Sequence, residues 1–266
     1  KKALDNFART AKCIASKPSG RGVVYEVTSA DLFYLQFRRL SPQDTAELDD
    51  TLPVRAANIA TARNSKSAGH RHAVQYVLLK AANGPVSWRN GNNETLDLSA
   101  ATQAQGISAL AIEADNTWRT DSALWLVENQ ALFDRTDWLP RDHPATVIWY
   151  SGNLTSVMLD WLSEIRRASQ IWHFPDYDGI GLMNFCRLRE RLGEQADFWL
   201  FPQWQALLKR YGNNAIWQSN LSEFNAASMR LKQCLPADHP LHELTARMSE
   251  LGMGLEQEAV WLAVAG

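Results

Sequence analysis

Four apolar runs in the second half of the chain constrain the fold more than any other feature. Residues 123–127, 145–150, 170–174 and 197–201 are apolar at most positions, so strands formed from them cannot show either face to water. Segments with helical spacing follow them. Leu154, Val157, Met158, Trp161, Leu162 and Ile165 come after the second run, and Leu182, Phe185, Leu188 and Leu192 after the third. Strands buried on both faces that alternate with helices predict an α/β fold with a mostly parallel sheet and flanking helices.

The first hundred residues read differently. Leu4, Phe7, Ala8 and Ala11 share one helical face, and Ser19-Gly20-Arg21-Gly22 is a glycine-rich turn. A β run at 23–27 follows, and Ser29 is placed to cap a helix carrying Leu32, Leu35 and Phe37. Short helices around a small β element suggest a winged-helix-like accessory unit. Residues 73–79 form the clearest strand of this half. A turn at Ala82-Asn83-Gly84, a second β run at 86–89 and the turn Asn90-Gly91-Asn92-Asn93 complete a hairpin-like region. The expected division is a smaller mixed α/β region over 1–100 and an α/β domain over 101–266.

Charge follows the same division. Up to residue 90 the chain has 14 Lys and Arg against 7 Asp and Glu, a balance of +7; the remainder has 13 against 22, a balance of −9. A basic first third points to a negatively charged partner, with nucleic acid the first candidate. The polar stretch 63–72, holding Arg63, Lys66, His70 and Arg71, reads as an exposed loop suited to phosphate contacts, or as an ordinary solvated turn. No stretch of 18 apolar residues exists, and the first residues lack the apolar core of a secretory signal, so a cytoplasmic protein that does not span a membrane is expected. Three scattered cysteines, Cys13, Cys186 and Cys234, fit neither a disulfide framework nor a paired zinc site. Most of the eleven tryptophans should be core or subunit interface.

In an open α/β sheet, functional groups gather where parallel strands end. That rule selects Glu128, Ser151-Gly152 and Asp176-Tyr177-Asp178-Gly179. Two aspartates two residues apart, leaving a strand, offer hard oxygen ligands, and the following glycine lets the backbone turn into a helix. With a glutamate from a neighbouring strand they suit Mg²⁺, which keeps several waters and accepts phosphate oxygens. The plain alternative is that the aspartates cap the following helix.

The motifs Val127-Glu128-Asn129-Gln130, Tyr150-Ser151-Gly152-Asn153 and Phe174-Pro175-Asp176-Tyr177-Asp178-Gly179-Ile180-Gly181 together resemble a Toprim domain. The likeness is to the branch shared by the A subunit of topoisomerase VI and the JetD (MksG) nucleases of Wadjet plasmid-defence systems. It extends to Gly254-Leu255-Glu256-Gln257-Glu258, which is similar to a Glu-Gln-Glu element near the C-terminus of JetD-like proteins, and covers about 122–266. The resemblance implies a Toprim, Rossmann-like sheet and hydrolysis of double-stranded DNA, with Mg²⁺ or Mn²⁺ held by Glu128, Asp176 and Asp178. Glu256 or Glu258 would assist. It also implies a homodimer and an SMC-like condensin complex as partner. Pro175 stands where relatives often have Gly, and the chain is shorter than a full JetD, so an absent N-terminal arm or a compact relative is expected.

Two rival readings remain at this point. A topoisomerase-type subunit would need a nucleophilic tyrosine; Tyr25, Tyr34 and Tyr76 are available, but none lies in an Arg-rich motif with paired tyrosines. Alternatively, the acidic edge is structural and the chain is a non-catalytic DNA-binding or assembly module. His173, beside Phe174 on an apolar strand, reads as a satisfied core histidine, and His70 and His72 have no zinc-spaced partners. Ser151-Gly152 is not a hydrolase nucleophile turn, and Gly20-Arg21-Gly22 is too short for a phosphate loop, so ATP is not expected.

Overall fold

The computed structural model describes residues 2–20, 22–67, 74–113 and 115–263. The backbone divides into two compact units, Lys1–His72 and Ala73–Gly266. The boundary falls earlier than the expected one near residue 100, because the strand that follows residue 73 pairs inside the large sheet of the second unit.

The first unit contains α1 (Lys2–Ala11), β1 (Ile14–Ser19), β2 (Gly22–Val27), α2 (Ala30–Leu40) and α3 (Val54–Ala62). The expected glycine turn closes an antiparallel hairpin in which Ser19 faces Gly22, with Gly20 at φ 57°, a conformation that costs glycine little. Strand β1 escaped the sequence reading because Lys17, Pro18 and Ser19 interrupt any apolar alternation. Ser29 precedes α2 as expected, but its side chain makes no capping hydrogen bond.

The second unit opens with β3 (Gln75–Ala82), β4 (Ser87–Arg89), β5 (Thr95–Asp97), α4 (Leu98–Gln105), β6 (Ser108–Ile112) and β7 (Arg119–Thr120). The strand–helix alternation then follows as β8 (Ala123–Val127), α5 (Gln130–Asp134), β9 (Ala145–Trp149), α6 (Ser156–Glu164), β10 (Ile171–Phe174), α7 (Gly179–Leu192) and β11 (Ala196–Phe198). A helical tail of α8 (Trp204–Tyr211), α9 (Asn214–Ser219), α10 (Leu221–Cys234) and α11 (Leu241–Leu251) completes it.

The main sheet has the order β11-β10-β8-β9-β3-β6. Its first four strands are mutually parallel, and β3 runs antiparallel to both its neighbours, so the sheet is mixed and mostly parallel. The expected hairpin of residues 73–79 with 86–89 does not form. Strand β3 joins the main sheet, whereas β4 pairs with β5 and β7 in a separate three-stranded sheet, and the turn at 90–93 is the one that closes a hairpin. The fourth apolar run is strand only at Ala196–Phe198; Trp199 and Phe201 leave the ladder and pack in an aromatic cluster with Phe174.

Alternation along β8 explains the layers. Trp125 and Val127 face a core closed by Phe185 of α7, Leu208 of α8, Leu231 of α10 and Met248 of α11. Leu124 and Leu126 face a second core with Leu98 of α4 and Met158, Trp161 and Leu162 of α6. The expected tryptophan core is real on the first face, where Trp125 lies 5.2–5.6 Å from Trp138, Trp172 and Trp199. Local capping fixes where helices begin: Asp97 accepts from Ala100 N at 2.9 Å and Thr155 from Met158 N at 3.1 Å. Among the described residues no helix is long and apolar enough to cross a membrane.

Candidate functional site

Because β8, β9, β10 and β11 are parallel, they all end at one edge of the sheet. The chain passes from β8 to β9 on one side and then returns across β8 to β10 on the other. The topological switch point therefore lies between β8 and β10, and the first residues beyond those strands are Glu128 and Pro175-Asp176. A crevice opens at such a point because the connections leave in opposite directions.

Glu128 is half-buried at the end of β8. Its Oε2 accepts from the Tyr150 hydroxyl at 3.2 Å, and the backbone N–H of Asp176 also stabilises its charged form. Burial, with repulsion from Asp176 and Asp178, nevertheless pushes its pKa up to about 8. Asp176 rises to about 7, chiefly through burial, with Asp178, Glu258 and Glu256 adding repulsion against a lowering hydrogen bond from the Gln257 backbone. None of the ion pairs among the described residues involves Glu128, Asp176, Asp178, Glu256 or Glu258.

The C-terminal element of the sequence motif arrives at this point through backbone pairing. Tyr177 N donates to Leu255 O at 2.8 Å, and Leu255 N returns a bond to Tyr177 O at 3.0 Å. This bridge brings Gln257 N to Asp176 Oδ1 at 2.8 Å. Asn129 ties the remaining groups together: its Nδ2 lies 3.0 and 3.1 Å from the two Glu258 oxygens and 3.4 Å from Asp176 Oδ1, while its backbone N donates to Gln257 Oε1 at 3.2 Å. A neutral amide thus does what a cation would do more strongly. Glu258 is half-buried beside the site, and Glu256 is exposed.

Asp178 has the helix-capping role that was the plain alternative. Its Oδ1 accepts from Gly181 N at 2.7 Å, and its Oδ2 from Asn220 Nδ2 at 2.8 Å. Glycine is required on this turn: a Cβ on Gly181 would lie 2.1 Å from Asp176 O, and one on Gly179 would lie 2.2 Å from Asn220 O. Two glycines therefore let the loop fold back over the start of α7 and let α10 approach it closely.

The donor set is suited to a hard divalent cation, being all oxygen and carrying buried charge with no cationic partner. Among the described residues, however, no three His, Cys, Asp or Glu side chains are grouped closely enough to share one ion. The arrangement fits an ion held by one or two carboxylates, such as Glu128 and Asp176, with waters completing its shell. That is the usual manner of Mg²⁺.

The basic loop is only partly described. Arg63 ends α3 in the left-handed region at φ 52°, with its Nε donating to Arg39 O at 2.6 Å, and Lys66 is exposed in the next turn. His70 and Arg71 lie outside the described residues. Of the tyrosines considered as nucleophiles, Tyr34 and Tyr76 are exposed and Tyr25 donates to Asp5 Oδ1 at 2.6 Å. His173 is fully buried, but only half satisfied: Nε2 lies 3.0 Å from the Tyr150 hydroxyl, whereas Nδ1 has no partner among the described residues.

Sequence reasoning missed the polar residues that hold the carboxylates. Asn129 and Gln257 stood inside the quoted motifs, next to acidic residues, and adjacency to a strand-end carboxylate was the available signal. Asn220 precedes a helix far along the chain, and nothing local marks it. No protein-family model matches the chain, and no curated protein matches it.

Proposed function

We propose that the chain is a Mg²⁺- or Mn²⁺-dependent hydrolase of DNA phosphodiester bonds, built on a Toprim domain of the JetD-like branch. The observation that carries this reading is the pair of half-buried, mutually repelling carboxylates, Glu128 and Asp176, on either side of the switch point with no cation beside them. Partly buried carboxylates without a cationic partner cost stability, and a bound divalent ion would relieve that cost. The sequence resemblance supplies the substrate class, the pairing of two copies and the SMC-like condensin partner.

Bound metal would supply Lewis-acid stabilisation at a phosphoryl oxygen and a more acidic water. The protein does the rest. Glu128 and Asp176 would hold the ion, and Asn129 keeps Asp176 and Glu258 from splaying apart under repulsion. Asp178 fixes the turn that presents Asp176, and Glu258 adds negative charge at the rim. Arg63 and Lys66, with Arg71 and His70, would contact DNA phosphates without reading sequence. The winged-helix-like reading of the first unit belongs to this proposal as its DNA-binding part.

The test is cleavage of supercoiled plasmid at low salt with Mg²⁺ or Mn²⁺, comparing wild type with Glu128→Gln and Asp176→Asn. The expected result is metal-dependent nicking or linearisation that both substitutions abolish and chelation stops. Full activity in both variants would remove these carboxylates from the chemistry. A Tyr34→Phe variant is expected to cleave normally; loss of a protein-linked DNA product in that variant would instead favour the tyrosine mechanism.

A further inference from the structure

Two buried side chains and one half-buried carboxylate form a continuous line into the site: His173, Tyr150 and Glu128. Tyr150 comes from the end of β9 and His173 from within β10, and both are buried. The Tyr150 hydroxyl lies 3.0 Å from His173 Nε2 and 3.2 Å from Glu128 Oε2. A hydroxyl has one proton to donate, so one of these contacts must be donated by tyrosine and the other received by it.

The surroundings of His173 fix the direction. Its ring stacks on Phe185 and meets Phe198 edge-on, and burial lowers its pKa to about 3, so the imidazole is neutral and carries one N–H. If that proton were on Nδ1, a buried donor would face no acceptor among the described residues, and Tyr150 would have to donate back to Nε2. Once Glu128 is ionised, above its pKa of about 8, the Tyr150 oxygen lone pairs would then confront a carboxylate. With the proton on Nε2, both contacts are satisfied at once. Nε2–H donates to the Tyr150 oxygen, Tyr150 O–H donates to Glu128 Oε2, and Nδ1 keeps only a lone pair.

We propose that Tyr150 is a positioning residue that pins one oxygen of Glu128, and that His173, as its Nε2–H tautomer, sets the direction of the Tyr150 hydroxyl. The inference rests on the reading of Glu128 as the working carboxylate of this site. Pinning Oε2 fixes the orientation in which the carboxylate would be presented to a cation. The sequence motif Tyr150-Ser151-Gly152 thereby gains a role in its tyrosine rather than its serine.

Histidine-labelled ¹⁵N NMR of the full chain tests this directly. The expected spectrum shows His173 with a protonated Nε2 and a bare Nδ1. Tyr150→Phe, which keeps the ring and removes only the hydroxyl, should move the Nε2–H proton upfield as its acceptor is lost. Glu128→Gln should move the same proton as well, since the far end of the line changes from carboxylate to amide. Mn²⁺ binding, followed by electron paramagnetic resonance, should weaken roughly tenfold in Tyr150→Phe. The double variant should bind no more weakly than Glu128→Gln alone, because the two act through one group. A protonated Nδ1, or an Nε2–H proton unmoved by both substitutions, overturns the proposal. So does additive loss of Mn²⁺ affinity in the double variant. If wild type binds no Mn²⁺, the hydrolase reading falls, and the tautomer and proton shifts still decide the line of hydrogen bonds.

Discussion

Two charge centres in the same unit, one buried and one half-buried, are built in opposite ways. Near the edge where β10 begins, Arg167 is fully buried and each of its three nitrogens has an acceptor: Nε donates to Trp161 O at 2.8 Å, Nη1 to Asn116 O at 2.5 Å and Trp118 O at 3.1 Å, and Nη2 to Glu164 Oε2 at 3.3 Å. The guanidinium also lies 4.7 Å from the centre of the Trp161 ring. At the other edge, Glu128 and Asp176 receive hydrogen bonds from neutral groups but no opposing charge. A buried charge whose nitrogens all meet acceptors stitches loops together. One left facing its own sign lacks that compensation, which under the proposed function a bound cation would supply.

The comparison can be broken most severely at the arginine. Arg167→Met should remove about 3–5 kcal/mol from unfolding stability in denaturant titrations, because three carbonyls lose their donor in a site closed to water. A loss under 1 kcal/mol would mean that the guanidinium is not the stitch described. The carboxylates should behave inversely. Glu128→Gln and Asp176→Asn should lower cleavage roughly a hundredfold or more while making the metal-free protein more stable at pH 8. If either variant is less stable than wild type there, the site is structural.

The pH dependence sharpens the contrast next. Glu128 at about 8 and Asp176 at about 7 both lie above the ordinary carboxylate range, so these two groups hold more protons in the folded chain than in the unfolded one between about pH 4 and 8, against one proton fewer on His173 below its ordinary value of 6.5. The sign follows: stability of the metal-free protein falls as pH rises through that window, by up to a few kcal/mol, and levels off above it. Unfolding titrations at pH 5, 6, 7 and 8 check this, and Mg²⁺ at pH 8 should recover the loss. A flat or rising profile would contradict the charge repulsion assigned to the edge. The smallest effect belongs to the first unit. Replacing Arg63 and Lys66 by Ala should reduce the slope of log DNA affinity against log salt by about one per lost contact, and an unchanged slope removes them from the interface.

The contrast between units explains what could be read in advance. In the second unit, β8, β9 and β10 stand close to the residues anticipated, because an apolar run with no polar face has few other places to go. The first unit shows the limit of the same reasoning. Its first two helices were legible and α3 was not, and α2 buries none of its residues and leaves Leu32, Leu35, Phe37 and Leu40 exposed. Periodicity specifies which residues share a face, and only a partner surface decides whether that face is covered. Short strands such as β5 and β7, of three and two residues, carry too little pattern to be seen at all.

By itself, the sequence determined the alternating strands and helices, the strand ends that carry Glu128 and Asp176, and the turn glycines behind them. These are local matters of periodicity, chirality and capping, settled within a few residues. Tertiary structure alone decided that β10 lies next to β8 rather than beyond β9, and that residue 257 returns to residue 176. It likewise decided that Asp178, whose Oδ1 caps α7 locally at Gly181, gives its Oδ2 to Asn220, and that Tyr150 and His173 line up behind Glu128. Those facts depend on contacts between residues tens of positions apart. Such contacts form only when burial of both sheet faces fixes the order of the strands.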